Sequence, residues 1–226
     1  MSAAPEVPSG ARRGLPERGR FITLEGGEGA GKSSQAAFLA EGMRAAGLDP
    51  LVTREPGGAP GAEEIRKLLV SGAVGRWDPT TELLLYVAAR RDHVTRTIEP
   101  ALAKGQWVIC DRFTDSTMAY QGYGQGLGRE ACLAAQRLAI GDLAPDFTII
   151  LDLPAPLGLE RVGKRRGIET RYERMDLAFH GRVRDGFLDI AKREPARCRV
   201  IDATASVQDV QWVLRKAIAE RFGIGL

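Results

Sequence analysis

The sequence is poor in the residues that build disulfide frameworks and metal centres, because its 226 residues include only three cysteines and two histidines. Cys110, Cys132 and Cys198 form an odd set without a Cys-x-x-Cys spacing, which fits neither a disulfide scaffold nor a structural zinc site. We expect three buried thiols in a reducing compartment. His93 and His180 lie outside every motif described below, and we predict no catalytic role for either.

Long hydrophobic segments are also missing. The longest nearly unbroken apolar run, residues 83–89, has seven residues, whereas a membrane-spanning helix needs roughly 18. The first twenty residues carry four arginines among Pro, Gly, Ser and Ala and lack the apolar core of a signal peptide. We therefore predict no membrane partner, a cytoplasmic location and a disordered leader over residues 1–19.

Neither sign of charge dominates, since 32 basic residues face 29 acidic ones and leave a net charge of +3. That excess is too small to argue for a nucleic-acid surface, and we predict no nucleic-acid partner. Arginine supplies 26 of the 32 basic residues. Its planar guanidinium suits phosphate oxygens, so the skew is a weak hint of phosphorylated ligands, although high-GC coding would produce it too.

What the chain does contain is a regular alternation of short apolar runs and helix-length segments. The runs are rich in Ile, Val, Leu and Phe and are bounded by Gly, Pro or Asp, as in strands buried on both faces. We expect strands over residues 21–24, 51–53, 107–110, 147–151 and 199–201. Their β-α-β-α order predicts one α/β domain over residues 20–226, with helices on both faces of a mostly parallel five-stranded sheet.

Two helices have recognisable boundaries or faces. Asp78 followed by Pro79 is typical of an N-cap with proline in the first turn, and Pro100 is expected to end or kink that helix. Near the C-terminus, apolar residues recur at helical spacing and predict a packing stripe. The stripe consists of Val207, Val210, Leu214, Ile218 and Phe222.

A phosphate-binding motif, G-x-x-x-x-G-K-[ST], occupies residues 26–33. Its glycines let backbone N–H groups surround phosphate oxygens, and the following helix presents its positive N-terminal end to them. Lys32 is predicted to reach the β- and γ-phosphates, and the Ser33 hydroxyl to ligate Mg²⁺. We therefore predict a P-loop NTPase-type three-layer αβα fold. The predicted ATP-binding residues are Gly26, Gly27, Glu28, Gly29, Ala30, Gly31, Lys32 and Ser33.

A second motif, Asp111-Arg112, follows the apolar run at residues 107–110. An acid at the end of a strand is the form expected of the aspartate that holds Mg²⁺ in P-loop proteins. Hydrolytic P-loop proteins usually carry a second acid there, whereas Arg112 suits binding of an anionic acceptor. The pair favours phosphoryl transfer from MgATP to a phosphate over hydrolysis, with Ser33 and Asp111 as the predicted metal ligands.

These motifs belong to a linked set that resembles the thymidylate kinase family over nearly the whole chain from about Arg20. The segments that carry the resemblance are 25–33 (EGGEGAGKS), 53–58 (TREPGG), 84–90 (LLYVAAR), 111–113 (DRF), 116–121 (STMAYQ), 145–146 (PD) and 151–153 (LDL). The resemblance implies transfer of a phosphoryl group from MgATP to dTMP, giving dTDP and ADP, in a homodimeric enzyme.

The resemblance also implies roles for residues that bind the acceptor. Glu28 is expected to accept a hydrogen bond from the 3′-hydroxyl, and Arg54 and Arg112 to contact the 5′-phosphate. Arg54 has an alternative as a surface partner of Glu55. The ring of Tyr86 would stack on thymine, although family members often have Phe there and Tyr86 could instead be a core aromatic.

Four further side chains are assigned to the nucleoside by the same resemblance. Arg90 is expected to donate to a base oxygen, with a solvated helix charge as the alternative. Thr117 and Gln121 would lie near the base edge, and Tyr120 against the sugar, where a 2′-hydroxyl would clash.

Residues 160–174 are predicted to be a mobile basic lid, since six basic residues face three acidic ones. Gly29 stands where some family members carry an arginine, which resembles the bacterial form whose lid supplies that cation. Arg166 is our first choice for this catalytic role and Arg171 the second, both beside ATP. The predicted catalytic residues are Lys32, Arg112 and Arg166.

Two other functions stay open on the residues alone. A P-loop deoxynucleoside kinase would need a base beside its hydroxyl acceptor, and spacing allows Glu28 in that place. A nucleic-acid-binding P-loop ATPase would show salt-dependent DNA binding. The absence of a second acid after Asp111 disfavours the ATPase.

Overall fold

The computed structural model of the chain describes residues 18–164 and 171–226. Residues 1–17 of the predicted leader lie outside the described residues, and so does Arg166 of the predicted lid. Either side of that gap, the lid region contributes the end of a helix and a short 3₁₀ turn, Tyr172–Arg174.

Parallel strands form one sheet in the described part of the chain, in the order β2-β3-β1-β4-β5. The strands are β1 (Phe21–Gly26), β2 (Leu51–Arg54), β3 (Val108–Asp111), β4 (Phe147–Asp152) and β5 (Cys198–Asp202). Leu24 of β1 pairs with Asp111 of β3 and with Ile149 of β4, so the carboxyl ends of the central strands meet at one edge. The predicted strands are confirmed, with boundaries that shift by one or two residues.

Helices cover both faces of this sheet, as the α/β prediction requires. They are α1 (Lys32–Ala45), α2 (Pro60–Val70), α3 (Pro79–His93), α4 (Glu99–Ala103), α5 (Thr114–Thr117), α6 (Gly128–Ile140), α7 (Ala155–Gly163), α8 (Leu177–Arg193) and α9 (Val207–Phe222). Two π-helical segments, Val94–Ile98 and Met118–Gly124, continue α3 and α5 respectively.

The start of α3 follows its sequence signal. The Asp78 carboxylate accepts hydrogen bonds from the backbone N–H groups of Thr80 at 3.0 Å and Thr81 at 3.1 Å, which confirms the predicted N-cap. The effect expected of Pro100 is different in detail. Pro100 does not end the helical path, which passes from α3 through the π-helical segment Val94–Ile98 into α4. Pro100 lies in the first turn of α4, where its missing N–H is tolerated.

The main core lies between the sheet and the helices α1 and α9. Leu39 of α1 and Leu214 of α9 are fully buried there, and burial of each such side chain contributes roughly 1.5–3 kcal/mol. The predicted C-terminal stripe is confirmed at Val210, Leu214 and Ile218, which are buried, whereas Val207 at the first position of α9 is half exposed.

At the amino ends of the strands, α9 closes against the sheet through aromatic packing. Phe222 packs edge-to-face on Trp107, with ring centroids 5.0 Å apart, and Trp107 immediately precedes β3. The backbone N–H of Phe21, the first residue of β1, donates to the carboxylate of Asp146 at 2.7 Å. These contacts lie at the edge of the sheet opposite to Gly26 and Asp111.

The three cysteines are free and buried, as expected. Burial raises the pKa of the Cys132 thiol to about 11, so thiolate chemistry at neutral pH is disfavoured there. Among the described helices, none has both the length and the apolar character that crossing a bilayer requires.

Candidate active site

A cavity of about 270 Å³ opens where the carboxyl ends of β1, β2 and β3 meet. Most of the predicted site residues line it: Glu28, Gly29, Gly31, Lys32, Ser33, Arg54, Tyr86, Arg90, Asp111, Arg112, Thr117, Tyr120 and Gln121. Gly26, Gly27 and Ala30 belong to the same loop as Glu28. Residues far apart in the sequence thus meet at the sheet edge where open α/β folds bind ligands.

The loop between β1 and α1 has the backbone conformation that its glycines permit. Gly26 and Gly31 have φ angles of 137° and 91°, in a region that other residues rarely adopt. The Nζ of Lys32 donates to the carbonyl oxygens of Gly26 at 3.1 Å and Gly27 at 2.7 Å. Burial and, secondly, the charge of Arg112 lower the pKa of Lys32 to about 8, against the opposing effect of Glu28. The ammonium group is therefore held at the loop before any phosphate is present.

Ser33 and Asp111 meet across the sheet edge, because α1 starts beside the end of β3. The Ser33 hydroxyl donates to the Asp111 carboxylate. A hydroxyl and a carboxylate are hard oxygen ligands of the kind that Mg²⁺ prefers, and Mg²⁺ takes its remaining ligands from water and phosphate. The donor set therefore fits the metal ion predicted from the sequence.

Glu28 accepts two hydrogen bonds on the same oxygen. Arg112 Nη2 lies 2.9 Å from Glu28 Oε1, and the Tyr120 hydroxyl lies 2.8 Å from it. Burial opposes ionisation of Glu28, but the charges of Arg112 and Lys32 and the bond from Tyr120 lower its pKa to about 2. A general base works best with a pKa near the operating pH. Glu28 is thus a poor base, which disfavours the deoxynucleoside kinase alternative.

Arg112 has an unusual backbone. Its φ of 70° lies in the left-handed region, which costs a side-chain-bearing residue roughly 1–3 kcal/mol. The guanidinium turns back over the phosphate-binding loop, where Nη1 donates to the Gly26 carbonyl at 3.0 Å and to Ser116 Oγ at 3.1 Å. It also lies 4.9 Å from the centre of the Tyr120 ring. Strain at such a residue indicates that the surrounding contacts hold it for a function.

Arg90 is 1 % exposed and bonded on two of its three nitrogens. Nε donates to Glu55 at 2.8 Å, and Nη2 donates to the Phe113 carbonyl at 3.0 Å and to Thr117 Oγ1 at 2.9 Å. Nη1 is buried without a protein partner in the described structure. Since Arg90 lines the cavity, this nitrogen is available to a ligand.

Tyr86 and Gln121 lie on the same side of the cavity as Arg90. Burial raises the pKa of Tyr86 to about 12, so its hydroxyl is neutral. The Gln121 amide donates from Nε2 to Glu82 at 2.8 Å, whereas its Oε1 is buried without a partner within the described ranges. The amide assignment follows from that bond, and it turns an unpaired acceptor to the ligand side.

Arg54 reaches the cavity from the end of β2. It is paired with Glu63 at 3.0 Å and remains 53 % exposed, so its partner is not the neighbouring Glu55. Glu55 instead accepts from Arg90 and faces His93 Nδ1 at 3.1 Å. His93 is fully buried, and its other ring nitrogen, Nε2, lies 2.7 Å from Thr53 Oγ1.

Arg171, the second choice for the lid cation, is 3 % exposed and bonded to the buried Glu82. Its Nη2 also lies 3.2 Å from the Tyr172 hydroxyl. In this arrangement the side chain of Arg171 is engaged with α3 and is absent from the cavity lining. Arg166 lies outside the described residues, so both lid assignments stay predictions.

Several residues that line the cavity were not assigned to the site from the sequence, among them Glu55, Arg66 and Tyr172. Arg66 donates to the Pro56 carbonyl at 2.6 Å and adds a second cation beside Arg54. Glu55 lies within the recognised segment 53–58, but the sequence offered Arg54 as its partner, whereas the structure pairs it with Arg90. Nothing in the local sequence marks Arg66 or Tyr172.

Comparisons with known proteins agree with this geometry. The family model for thymidylate kinase matches residues 24–212. The thymidylate kinase of Caulobacter vibrioides is 53 % identical over 207 residues, which cover 92 % of this chain and 99 % of that protein. The thymidylate kinase of Afipia carboxidovorans is 49 % identical over 218 residues, 96 % of each chain.

A solved structure leads to the same family. The crystal structure of thymidylate kinase from Ehrlichia chaffeensis superposes with a TM-score of 0.72 at 38 % identity, and the match covers 89 % of this chain and 99 % of that one. Fold and sequence relatives therefore agree, and the chain belongs to the thymidylate kinase family.

Proposed function

We propose that this chain transfers the γ-phosphoryl group of ATP to dTMP, giving dTDP and ADP. The observation that carries the proposal is one cavity lined by the phosphate-binding loop, Arg112 and Arg90. Nη1 of Arg90 has no partner among the described residues. Together these groups provide a phosphoryl donor site, a cation for an anionic acceptor and a hydrogen-bond donor for a base.

At the donor end, the loop at residues 26–33 binds the phosphates of ATP. Lys32 exchanges its bonds to the Gly26 and Gly27 carbonyls for bonds to phosphate oxygens. Ser33 and Asp111 would hold Mg²⁺, which would supply positive charge to offset that of the phosphates. The Ser33–Asp111 hydrogen bond supports this assignment because it already brings the two ligands together.

At the acceptor end, Arg54 and Arg112 bind the 5′-phosphate of dTMP. Arg112 and Tyr120 both donate to Oε1 of Glu28, which leaves Oε2 for the 3′-hydroxyl of the sugar. An acceptor phosphate is already ionised at neutral pH, so the reaction needs no strong base. Positioning and neutralisation of charge by Lys32 and Arg112 would carry the catalysis.

The base is read by two polar groups for which residues 18–164 and 171–226 provide no partner. Arg90 Nη1 donates to a carbonyl oxygen of thymine, and Gln121 Oε1 accepts from the ring N–H. Thr117 orients Arg90 by accepting from its Nη2. Cytosine would place an amino group against a guanidinium donor, so a site of this kind rejects it. The ring of Tyr86 stacks on the base.

The lid is proposed to add the last cation, with Arg166 as the first choice and Arg171 as the second. Arg171 would have to leave Glu82 to reach ATP. A lid that closes over the cavity would also exclude water, which would otherwise hydrolyse ATP.

A homodimer is proposed as the assembly. Exposed apolar side chains lie on α3 and α6, where Leu84 and Leu138 are 56 % and 88 % exposed and Ala131 adds a small residue. The two helices are joined by a bond from Arg91 to the Ala139 carbonyl at 3.2 Å. A shared apolar face of this kind suits the same face of a second copy. The buried free thiols fit the predicted cytoplasmic location.

The test is ADP release with MgATP and each of dTMP, dUMP, thymidine, dGMP, AMP and no acceptor. Turnover with dTMP, and weaker turnover with dUMP, is expected. Lys32→Ala is expected to lose orders of magnitude in turnover, whereas Lys67→Ala, at an exposed lysine of α2, serves as the matched control. Turnover confined to thymidine would indicate a deoxynucleoside kinase, and ADP release without an acceptor would indicate a hydrolase.

A further inference from the structure

Glu25 is a buried carboxyl group that the proposed reaction does not use. It lies in β1 directly before the phosphate-binding loop, is fully buried and does not line the cavity. Both of its oxygens accept hydrogen bonds from the segment that follows Asp111. Phe113 N donates to Oε1 at 2.7 Å, and Ser116 Oγ donates to Oε2 at 2.6 Å.

Ser116 connects Glu25 to the guanidinium of Arg112. A serine hydroxyl has one proton to donate, and here Glu25 accepts it. Its lone pairs are thereby directed to Arg112, whose Nη1 lies 3.1 Å from Ser116 Oγ. One carboxylate thus determines the orientation of a hydroxyl that in turn receives a donor nitrogen of Arg112.

The bond to Phe113 has a separate effect on the backbone. The φ of Arg112 is left-handed, at 70°. The peptide groups before and after this residue are both held by hydrogen bonds from their N–H groups. Its own N–H donates to the Leu24 carbonyl at 3.0 Å, and the next N–H donates to Glu25. Glu25 therefore secures one of the two peptide groups that flank the strained residue.

A carboxyl group is costly at this position. Burial and the neighbouring charge of Asp115 raise the pKa of Glu25 to about 7, even though Ser116 and Arg112 act in the opposite direction. Asp115 is itself paired with Arg197 at 2.7 Å. An apolar residue would avoid this cost, but it would leave the N–H of Phe113 and the hydroxyl of Ser116 without their acceptor.

We propose that Glu25 is a positioning residue that holds Arg112, both through the peptide group after it and through Ser116, in the orientation that binds the acceptor phosphate. The inference rests on the proposed role of Arg112 in binding dTMP. Glu25 acts through Arg112 and does not touch the substrate.

Two variants and a control measure this effect. Glu25→Gln keeps the shape but removes the charge, and Ser116→Ala removes the link to the guanidinium while the bond to Phe113 remains. Thr23→Val is the matched control, since Thr23 is equally buried in β1 and bonds to Thr148 at 2.8 Å. We expect kcat/KM for dTMP to fall about ten- to hundredfold in Glu25→Gln, and less in Ser116→Ala. The KM for ATP is expected to change by less than about twofold in both variants. In the control Thr23→Val, kcat/KM for dTMP is also expected to change by less than about twofold.

A double-mutant cycle separates positioning from a merely structural role. The dissociation constant of dTMP is measured by calorimetry for wild type, Glu25→Gln, Arg112→Ala and the double variant, so that inactive proteins can be compared. If Glu25 acts through Arg112, its replacement has no further effect once Arg112 is absent. Equal losses in both backgrounds, or an unchanged affinity in Glu25→Gln, would overturn the inference.

The same measurements keep this inference apart from the proposed function. If wild type phosphorylates dTMP and the cycle shows independent effects, only the role of Glu25 is wrong. If wild type does not phosphorylate dTMP, the proposed function is wrong and the inference with it. If Glu25→Gln does not fold, Ser116→Ala takes its place in the cycle and must show the same dependence on Arg112.

Discussion

Glu25 and Glu28 are three residues apart in the sequence, and their surroundings shift their pKa values in opposite directions. Burial and Asp115 raise the pKa of Glu25 to about 7. For Glu28 burial acts in the same sense, but Arg112 and Lys32 outweigh it and lower the pKa to about 2. Glu28 is therefore ionised at neutral pH, whereas the pKa of Glu25 lies near neutrality.

The raised pKa of Glu25 predicts how stability depends on pH. Because its value of about 7 in the folded state exceeds the ordinary value of 4.5, the native state binds more protons between these limits. The resulting stabilisation is complete below about pH 4.5 and is lost as the pH rises through about 7.

Urea unfolding at about pH 5.5 and about pH 7.5, in wild type and Glu25→Gln, isolates this contribution because other groups cancel in the difference. Between the two pH values, we expect the free energy of unfolding to fall by about 2 kcal/mol more in wild type than in the variant. Parallel curves for the two proteins would mean that Glu25 does not titrate in this interval.

Thr117 offers a test of base binding at a single hydroxyl. Thr117→Val keeps the shape but removes one acceptor of Arg90 Nη2, which retains the Phe113 carbonyl. A hydrogen bond of this kind contributes roughly 1 kcal/mol, so the KM for dTMP is expected to rise about three- to tenfold with little change in kcat.

Steady-state kinetics with varied dTMP provide the measurement. The control is Thr95→Val, in the π-helical segment Val94–Ile98 that continues α3. Thr95 bonds to the Arg91 carbonyl at 2.8 Å and lies outside the cavity lining. A fall in kcat with an unchanged KM would assign Thr117 to the chemical step instead of base binding.

The residues of the phosphate-binding loop were predictable because their chemistry depends on local spacing. The partners of the buried charges were not. Arg90 meets an acid 35 positions away in Glu55, and Arg171 meets one 89 positions away in Glu82. Nothing in a single sequence tells which arginine each acid pairs with, so Arg171 was assigned to the lid without its contact to α3.

Among the elements, the phosphate-binding loop and α7 touch through two glycines. A Cβ on Gly29 would overlap the backbone of Gly158, and a Cβ on Gly158 would overlap the carbonyl of Glu28. Gly29 also has a φ of 69°. The arginine that some family members carry in place of Gly29 would therefore need a different position of α7. The close contact with Gly158 is thus a steric reason for glycine at position 29.

Gly158→Ala is expected to push α7 and the loop apart. Overpacking of this kind costs roughly 1–3 kcal/mol, and the KM for ATP should rise because the loop binds its phosphates. Gly163→Ala is the matched control, since a Cβ on Gly163, in the same helix, would meet nothing within 4 Å. Thermal unfolding and the KM for ATP are measured for both, and equal effects in the two variants would exclude a contact-specific cause.

The strands were predictable from short apolar runs. The central strands β1, β3 and β4 are buried along most of their length, as such runs indicate, whereas the edge strands β2 and β5 are partly exposed. The π-helical segment Met118–Gly124 was not, although it carries Tyr120 and Gln121. Its wider hydrogen-bonding pattern leaves no periodicity that differs clearly from that of an α-helix. The sequence pattern therefore does not distinguish this segment from an α-helix.

For the molecule as a whole, the apolar face of α3 and α6 determines the expected assembly. Leu138→Glu places a charge at the most exposed large apolar side chain of the described structure. We expect wild type to be a dimer and this variant a monomer, because a carboxylate buried in an interface lacks a partner.

Light scattering after size exclusion measures the mass. Trp212→Glu is the control, since Trp212 is 65 % exposed on α9. A monomeric wild type would contradict the proposed dimer, and a Leu138→Glu variant that keeps the mass of a dimeric wild type would contradict the proposed interface on α3 and α6. Dissociation of both variants would place the interface elsewhere.

The common direction of the parallel strands has a practical consequence. Phe21 and Phe222 lie at the amino ends of the strands, where they meet Asp146 and Trp107, and the cavity lies at the carboxyl ends. Tethers attached directly before Phe21 or after Phe222 would start at the edge of the sheet opposite to the cavity. Immobilised on a resin or sensor chip by either route, the protein should present its cavity to the bulk solution and keep its turnover.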